Sequence, residues 1–169
     1  MDQELVERAR TLLDLCRTKG LTITAAESCT GGLLAATLTE IAGSSDVFER
    51  GFVTYSNEAK QAMLGVPAAT LMQFGAVSRE TAEAMAKGVL ANAPVTLSAS
   101  ITGIAGPDGG TREKPVGLVH FAVAASRSGK LVHHEHHFGA IGRAQVRRAS
   151  VMRALAMLTD LAEGEDFTN

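Results

Sequence analysis

The feature that most constrains this chain is an alternation. Three short runs of β-branched and small apolar residues, at 21–26 (LTITAA), 51–55 (GFVTY) and 95–101 (VTLSASI), are separated by segments whose apolar residues recur at helical spacing. Leu5, Ala9, Leu12, Leu13 and Cys16 predict a helix over 3–19, ended by Gly20. Leu34, Leu38 and Ile41 carry a second helix to Gly43. Residues 56–64 predict a third, and Pro67 suits the opening of another. Ser78, with Glu80 in the first turn, caps a helix through Met85, Val89 and Leu90. Strands separated by helices need parallel crossovers, with helices on both faces of the sheet. Two further strands, 116–125 and 130–138, flank Ser128-Gly129, a hairpin turn signal that makes this pair antiparallel. A long helix over 143–163 closes the chain. The expectation is a single domain over 1–169, a three-layer α/β/α fold with a five-stranded mixed, mostly parallel sheet.

Composition narrows the function. With 169 residues, 46% hydrophobic and 20% charged, the chain can bury a core without disulfides or a metal. Sixteen basic against eighteen acidic residues give a net charge of −2, which argues against neutralising phosphates of a nucleic acid. Aromatics are 4%, with no Trp and one Tyr, too few for base-stacking platforms. Cys16 and Cys29 make no disulfide framework and suit a reducing compartment. The N-terminal stretch is charged and amphipathic, and no apolar run approaches the ~18 residues of a membrane span. A cytoplasmic protein with neither nucleic-acid nor membrane partners is expected. Met152, Leu155, Ala156 and Leu158 form a broad apolar stripe on the last helix, which points to a homodimer or higher homo-oligomer.

In open α/β sheets, ligands bind beyond the carboxyl ends of the parallel strands. Three unusual loops fall at that edge: ESCTGG (27–32), YSNEAK (55–60) and TGIAGPDGG (102–110). Ser28 is a candidate nucleophile, and equally Ser28 or Thr30 is an N-cap for the next helix. Gly31 and Gly32 allow backbone N–H groups to approach a ligand, and the helix N-terminus could hold a phosphate or an oxyanion. Cys29 is a rival nucleophile or a packing residue. Lys60 lies about one turn into its helix. Partly desolvated, it can serve as a base toward a serine; otherwise it is a solvated helix lysine. Thr102 and Gly103 end the third strand. The glycine-rich run lacks GxxxxGKS/T and GxGxxG, so neither a P-loop nor a dinucleotide fold has support. All five histidines are His120 and the four in HHEHH (133–137). Strand alternation splits that cluster between two faces, either as a metal pair or as a polar edge strand, and with no third ligand evident no metal is expected. Arg143 and Arg147 are i, i+4 on one face and could reach an anionic ligand.

Together ESCTGG, GFVTYSNEAK, GAVS, and TGIAGPDGG with KPVG resemble the CinA C-terminal domain family over roughly residues 5–162. The N-terminal molybdopterin-binding-like domain of longer members has no counterpart in this sequence, so the resemblance is to the stand-alone form. It implies a three-layer α/β/α fold and, as in active members, hydrolysis of nicotinamide mononucleotide to nicotinate mononucleotide and ammonia in pyridine nucleotide salvage. It also implies a serine nucleophile at Ser28, a lysine base at Lys60 and an accessory hydroxyl at Thr102, with no cofactor. Tyr55 and Asn57 belong to the matched second motif and count with Thr30, Gly31, Gly32, Gly103, Arg143 and Arg147 as substrate-binding candidates. Family members commonly carry Gly-Asp-Arg where this chain has Ile141-Gly142-Arg143. Two other readings stay open: a non-catalytic nucleotide-binding or regulatory module, and a metal-dependent hydrolase built on HHEHH.

Overall fold

The computed structural model describes residues 1–166. Helix α1 (Gln3–Lys19) runs between two caps. The Asp2 carboxylate accepts the Leu5 N–H at 3.1 Å, and Gly20 turns left-handed to close the last turn. The chain continues through β1 (Ile23–Glu27), α2 (Leu33–Thr39), a 3-10 turn (Ser44–Asp46) and β2 (Phe48–Val53). Then come α3 (Asn57–Leu64), α4 (Ala68–Phe74), α5 (Arg79–Asn92), β3 (Leu97–Gly103), β4 (Leu118–Ala125), β5 (Leu131–His137) and α6 (Arg143–Gly164). This is the expected order of elements. Strand boundaries differ most at β2, which starts at Phe48 and stops before Tyr55. It is an exposed edge strand, so burial imposes no clear alternation on it.

The sheet order is β2-β1-β3-β4-β5. Strand β1 pairs parallel with both β2 and β3, while β4 pairs antiparallel with β3 and with β5. One strand therefore runs against the other four, and the ladders divide evenly between the two kinds. On one face, Ile23, Ala25, Leu97, Ala99, Ile101 and Phe121 pack against α1, α2 and α6. Leu155 and Leu158 of the α6 stripe lie inside this core, and Met152 packs against it while partly exposed, so most of that stripe is covered within the chain. On the other face, Ala26 meets Leu64, Leu71, Met85 and Val89 of α3, α4 and α5. Helix α5 lies close to the sheet because the facing residues are small: Ala82 and Ala86 against Ala122 and Ala124. Closeness lets Ser98 and Ser100 donate to the Ala86 and Ala82 carbonyls at 2.8 and 2.6 Å, which satisfies hydroxyls buried in the sheet. Among the described residues, no helix is long and apolar enough to cross a membrane.

Gly88 sets the contact between α5 and the end of α3, the helix that carries Lys60. A Cβ there would stand 2.1 Å from the Leu64 carbonyl oxygen. Helix propensity alone favours Ala over Gly by about 1 kcal/mol. The clash reverses that sign, so Gly88→Ala is expected to destabilise the fold by about 1–3 kcal/mol. Urea or thermal unfolding reads the change, and an unchanged or raised midpoint would contradict this account of the contact.

Candidate active site

The three parallel strands end at one edge, β3 running two residues beyond β1 and β2. Glu27 stands opposite Val53 on one side and Ile101 on the other, so the loops that follow share one edge of the sheet. Between them lies an open cleft of about 290 Å³ lined by Ser28, Cys29, Tyr55, Asn57, Lys60, Thr102, Gly103, Arg143 and the loop that includes Gly106 and Asp108.

Ser56 caps α3, its Oγ accepting the Ala59 N–H at 3.0 Å. Side chains on a helix lean toward its N-terminus, so Lys60, one turn in, points back to the end of β2. Its Nζ donates to the Thr54 carbonyl at 2.8 Å and sits 3.1 Å from Ser28 Oγ. Lys60 is 1% exposed, and among the described residues it makes no ion pair. Burial holds its pKa below the ordinary lysine value, with nearby Cys29 pulling weakly the other way. The solvated-lysine alternative does not describe this side chain.

Cys29 packs into the core, and burial pushes its thiol up to about 12. A helix N-terminus does not activate it, and Ser28, half-exposed to the cleft, is the residue with a base in reach. Thr102 is fully buried at the cleft wall and donates its hydroxyl proton to the Ala76 carbonyl at 2.7 Å, leaving its oxygen free to accept. Gly103 closes the floor where no side chain fits, since a Cβ would stand 2.7 Å from Val119 Cγ2. Arg143 donates to the Gly106 carbonyl at 2.9 Å and to the Tyr55 hydroxyl at 2.6 Å, joining two of the three loops across the cleft. Asn57, the first residue of α3, is exposed at the mouth.

Four expected site residues are not brought to the cleft. Thr30 is fully buried, and its carbonyl accepts Arg147 Nη2 at 2.8 Å, which turns Arg147 toward the back of the turn. The Gly31 N–H bonds the Ser28 carbonyl at 3.0 Å. The Gly32 N–H bonds the Glu27 carboxylate at 3.2 Å. That carboxylate also accepts the Leu34 and Ala35 amides at 3.0 and 2.8 Å, so the α2 N-terminus is filled from within and is not an open anion site. The N-cap of α2 is Gly32, with no side-chain cap of its own, rather than Ser28 or Thr30. Sequence reasoning missed Glu27. The available signal was a helix opening on glycine, whose amides must find an acceptor elsewhere. Among the described residues, the Thr30 amide bonds no acceptor, and the Cys29 amide bonds no backbone acceptor but meets its own thiol.

The histidines lie on the far side of the sheet from β2, outside the cleft. His120 Nδ1 and His133 Nε2 are 2.9 Å apart, and burial lowers the pKa of both. His134 contacts Arg153 on the opposite face, and Glu135 pairs with His137. Among the described residues, no three His, Cys, Asp or Glu side chains converge on one point as metal ligands would.

Known proteins resemble this chain along nearly its whole length. Nicotinamide-nucleotide amidohydrolase PncC of Escherichia coli K12 is 49% identical over 157 residues, covering 93% of this chain and 94% of that protein. The crystal structure of competence/damage inducible protein CihA from Agrobacterium tumefaciens superposes with a TM-score of 0.93 at 53% identity, covering 95% of this chain and 97% of that one. A competence or damage-inducible protein from Enterobacter asburiae gives a TM-score of 0.87 at 33% identity, over 94% and 98% of the two chains. The CinA C-terminal domain model matches residues 6–162, and with that span matched the chain belongs to the CinA C-terminal domain family.

Proposed function

We propose that this chain hydrolyses the carboxamide of nicotinamide mononucleotide, giving nicotinate mononucleotide and ammonia. The observation that carries the reading is the 3.1 Å approach of a half-exposed serine hydroxyl to a buried lysine without a counter-charge, at the floor of the cleft. The name of the 49% identical Escherichia coli relative supplies the substrate class.

Neutral Lys60 has two N–H donors and one lone pair. One N–H serves the Thr54 carbonyl, and the lone pair faces the Ser28 hydroxyl. Lys60 takes the Ser28 proton as Oγ forms a bond to the carboxamide carbon. The negative charge that develops on the carbonyl oxygen is met by the Cys29 amide, beside Ser28 at the cleft. The C–N bond then breaks as the ammonium of Lys60 gives its proton to the amide nitrogen, which leaves as ammonia. Water attacks the acyl-serine by the same base and releases the carboxylate. Thr102 Oγ1 is placed to accept from the carboxamide nitrogen. Arg143 uses two of its five N–H groups on Gly106 and Tyr55, and the rest are available to the substrate phosphate. Arg143 fills this role in place of Arg147, which is engaged with Thr30.

Ammonia release from nicotinamide mononucleotide by the purified chain tests the reading directly. A chain that binds the nucleotide without turnover would instead be a binding module. Ser28→Ala is expected to lower kcat by about a thousandfold or more while the fold persists. Cys29→Ala is expected to stay within a few-fold of the parent, and loss of activity there with Ser28 intact would move the nucleophile to the thiol.

Lys60→Arg keeps a cation but cannot give a neutral base, so kcat is expected to fall by about 10²–10⁴-fold. The pH profile carries a sign. Protonated Lys60 is the inactive form and its pKa is lowered by burial, so kcat/KM should rise with pH along a limb that ends below the usual lysine range. A limb at the ordinary lysine value, or near-normal kcat in Lys60→Arg, would remove Lys60 as the base. Dialysis against a strong chelator is expected to leave turnover unchanged. A loss restored by zinc or manganese would return the histidine strand to consideration.

A further inference from the structure

Glu27 carries a buried carboxylate beside the cleft that the reaction above does not use. It is 2% exposed and directly precedes Ser28. Its Oε2 accepts the Gly32 and Leu34 amides at 3.2 and 3.0 Å, and its Oε1 accepts the Ala35 amide at 2.8 Å. The chain leaves β1 at Glu27, passes through Ser28 to Gly31, and returns to the carboxylate of the residue it left. The main chain of Glu27 is tied as well. Its carbonyl accepts the Thr54 N–H at 2.8 Å, and the Thr54 carbonyl in turn holds Lys60 Nζ. The Ser28 amide donates to the Ile101 carbonyl at 2.9 Å. One residue is thus joined to the nucleophile by a peptide bond, to the base through Thr54, and to the turn bearing the Cys29 amide through its side chain.

We infer that Glu27 is a positioning residue: its carboxylate clamps the first turn of α2 so that Ser28 Oγ faces Lys60 Nζ and the Cys29 amide faces the nascent oxyanion. The inference rests on the amide-hydrolysis reading above. Three amides converging on one side chain need acceptors on both of its terminal atoms. Glutamine has the same length but offers one acceptor oxygen and an NH₂ group that would meet an amide donor head-on. Glu27→Gln therefore loosens the turn while leaving the core side chains of β1 untouched. A residue that only capped α2 would change the melting midpoint and nothing else. A positioning residue changes the chemical step and spares substrate binding, because Tyr55, Asn57 and Arg143 sit on other elements.

The test compares the full chain with Glu27→Gln well below both melting midpoints, in two arms. One arm measures kcat and KM for nicotinamide mononucleotide. The other follows acetylation of Ser28 by p-nitrophenyl acetate, read by mass and peptide mapping. There the serine oxygen bonds the acetyl carbon, Lys60 takes the hydroxyl proton, and p-nitrophenolate leaves with the ester electron pair. Both kcat and the acetylation rate are expected to fall by about 10- to 100-fold, with KM within about threefold of the parent. Rates within threefold of the parent, with only a lower midpoint, would leave Glu27 a helix cap and overturn the inference. So would an unchanged kcat with a raised KM. If the parent acetylates Ser28 but does not deamidate the nucleotide, the substrate reading fails and the acetylation arm alone decides Glu27. No acetylation of Ser28 in the parent overturns both. Should Glu27→Gln not fold, Glu27→Asp, too short to reach all three amides, carries the same comparison.

Discussion

The parallel pairing of β1 with β2 and β3 is the contact on which the chemistry depends. Because Glu27 lies level with both Val53 and Ile101, the carboxyl ends of three adjacent strands gather at one edge, and each delivers one part of the cleft. The first delivers Ser28, the second the Thr54 carbonyl and Lys60, the third Thr102 and Gly103. Antiparallel β4 contributes no exit at this edge. Its part is to cover β3 on the other side and carry the Ala122 and Ala124 that let α5 approach. A register slip of one residue in β1 would move Ala26 and Glu27 each to the other face of the sheet, breaking the core and the cleft together.

Two buried side chains of opposite type flank the same turn and do not pair with each other. Lys60 is held by a backbone carbonyl and a hydroxyl, and Glu27 by three backbone amides. Had they met, the ion pair would have favoured the charged lysine and raised its pKa, the wrong direction for a base. Neutral backbone dipoles satisfy Lys60 without that effect, and burial acts unopposed by any carboxylate. Cys29, close to both, stays a protonated packing residue because burial raises its thiol pKa.

The order of elements was legible because most helices and strands bury one face, and burial writes the period into the sequence. Gly20 and Ser78 marked helix ends where local hydrogen bonds form them, whereas the caps Asp2 and Ser56 are seen only in the structure. Strand β2 was read too late because its edge position leaves Glu49, Arg50 and Gly51 exposed, so alternation is missing there. Among the site residues, Ser28 and Lys60 were placed by loop position and by family likeness, and the fold brings them to 3.1 Å. Thr30, Gly31 and Gly32 were read as facing a ligand because a glycine turn before a helix suggests an open N-terminus, and Arg147 because it shares a helix face with Arg143. Whether such an end is open depends on a carboxylate five to eight residues earlier in the chain, and local pattern does not report that contact.

The start of α6 shows how a departure from the family pattern can be locally consistent. Family members commonly place Asp before the arginine, a residue suited to capping a helix. Here Gly142 takes that place with φ 96°, a conformation that glycine adopts freely and aspartate rarely does. No side chain caps α6, and its first turn holds no acidic residue but begins with Arg143. A cation at a helix N-terminus is disfavoured by the dipole. The guanidinium avoids much of that by swinging across to the Gly106 carbonyl and the Tyr55 hydroxyl. Positive charge is thereby concentrated at the cleft mouth, in the guanidinium and the uncapped end of α6 together. That placement offers little to helix stability and leaves the guanidinium facing the cleft.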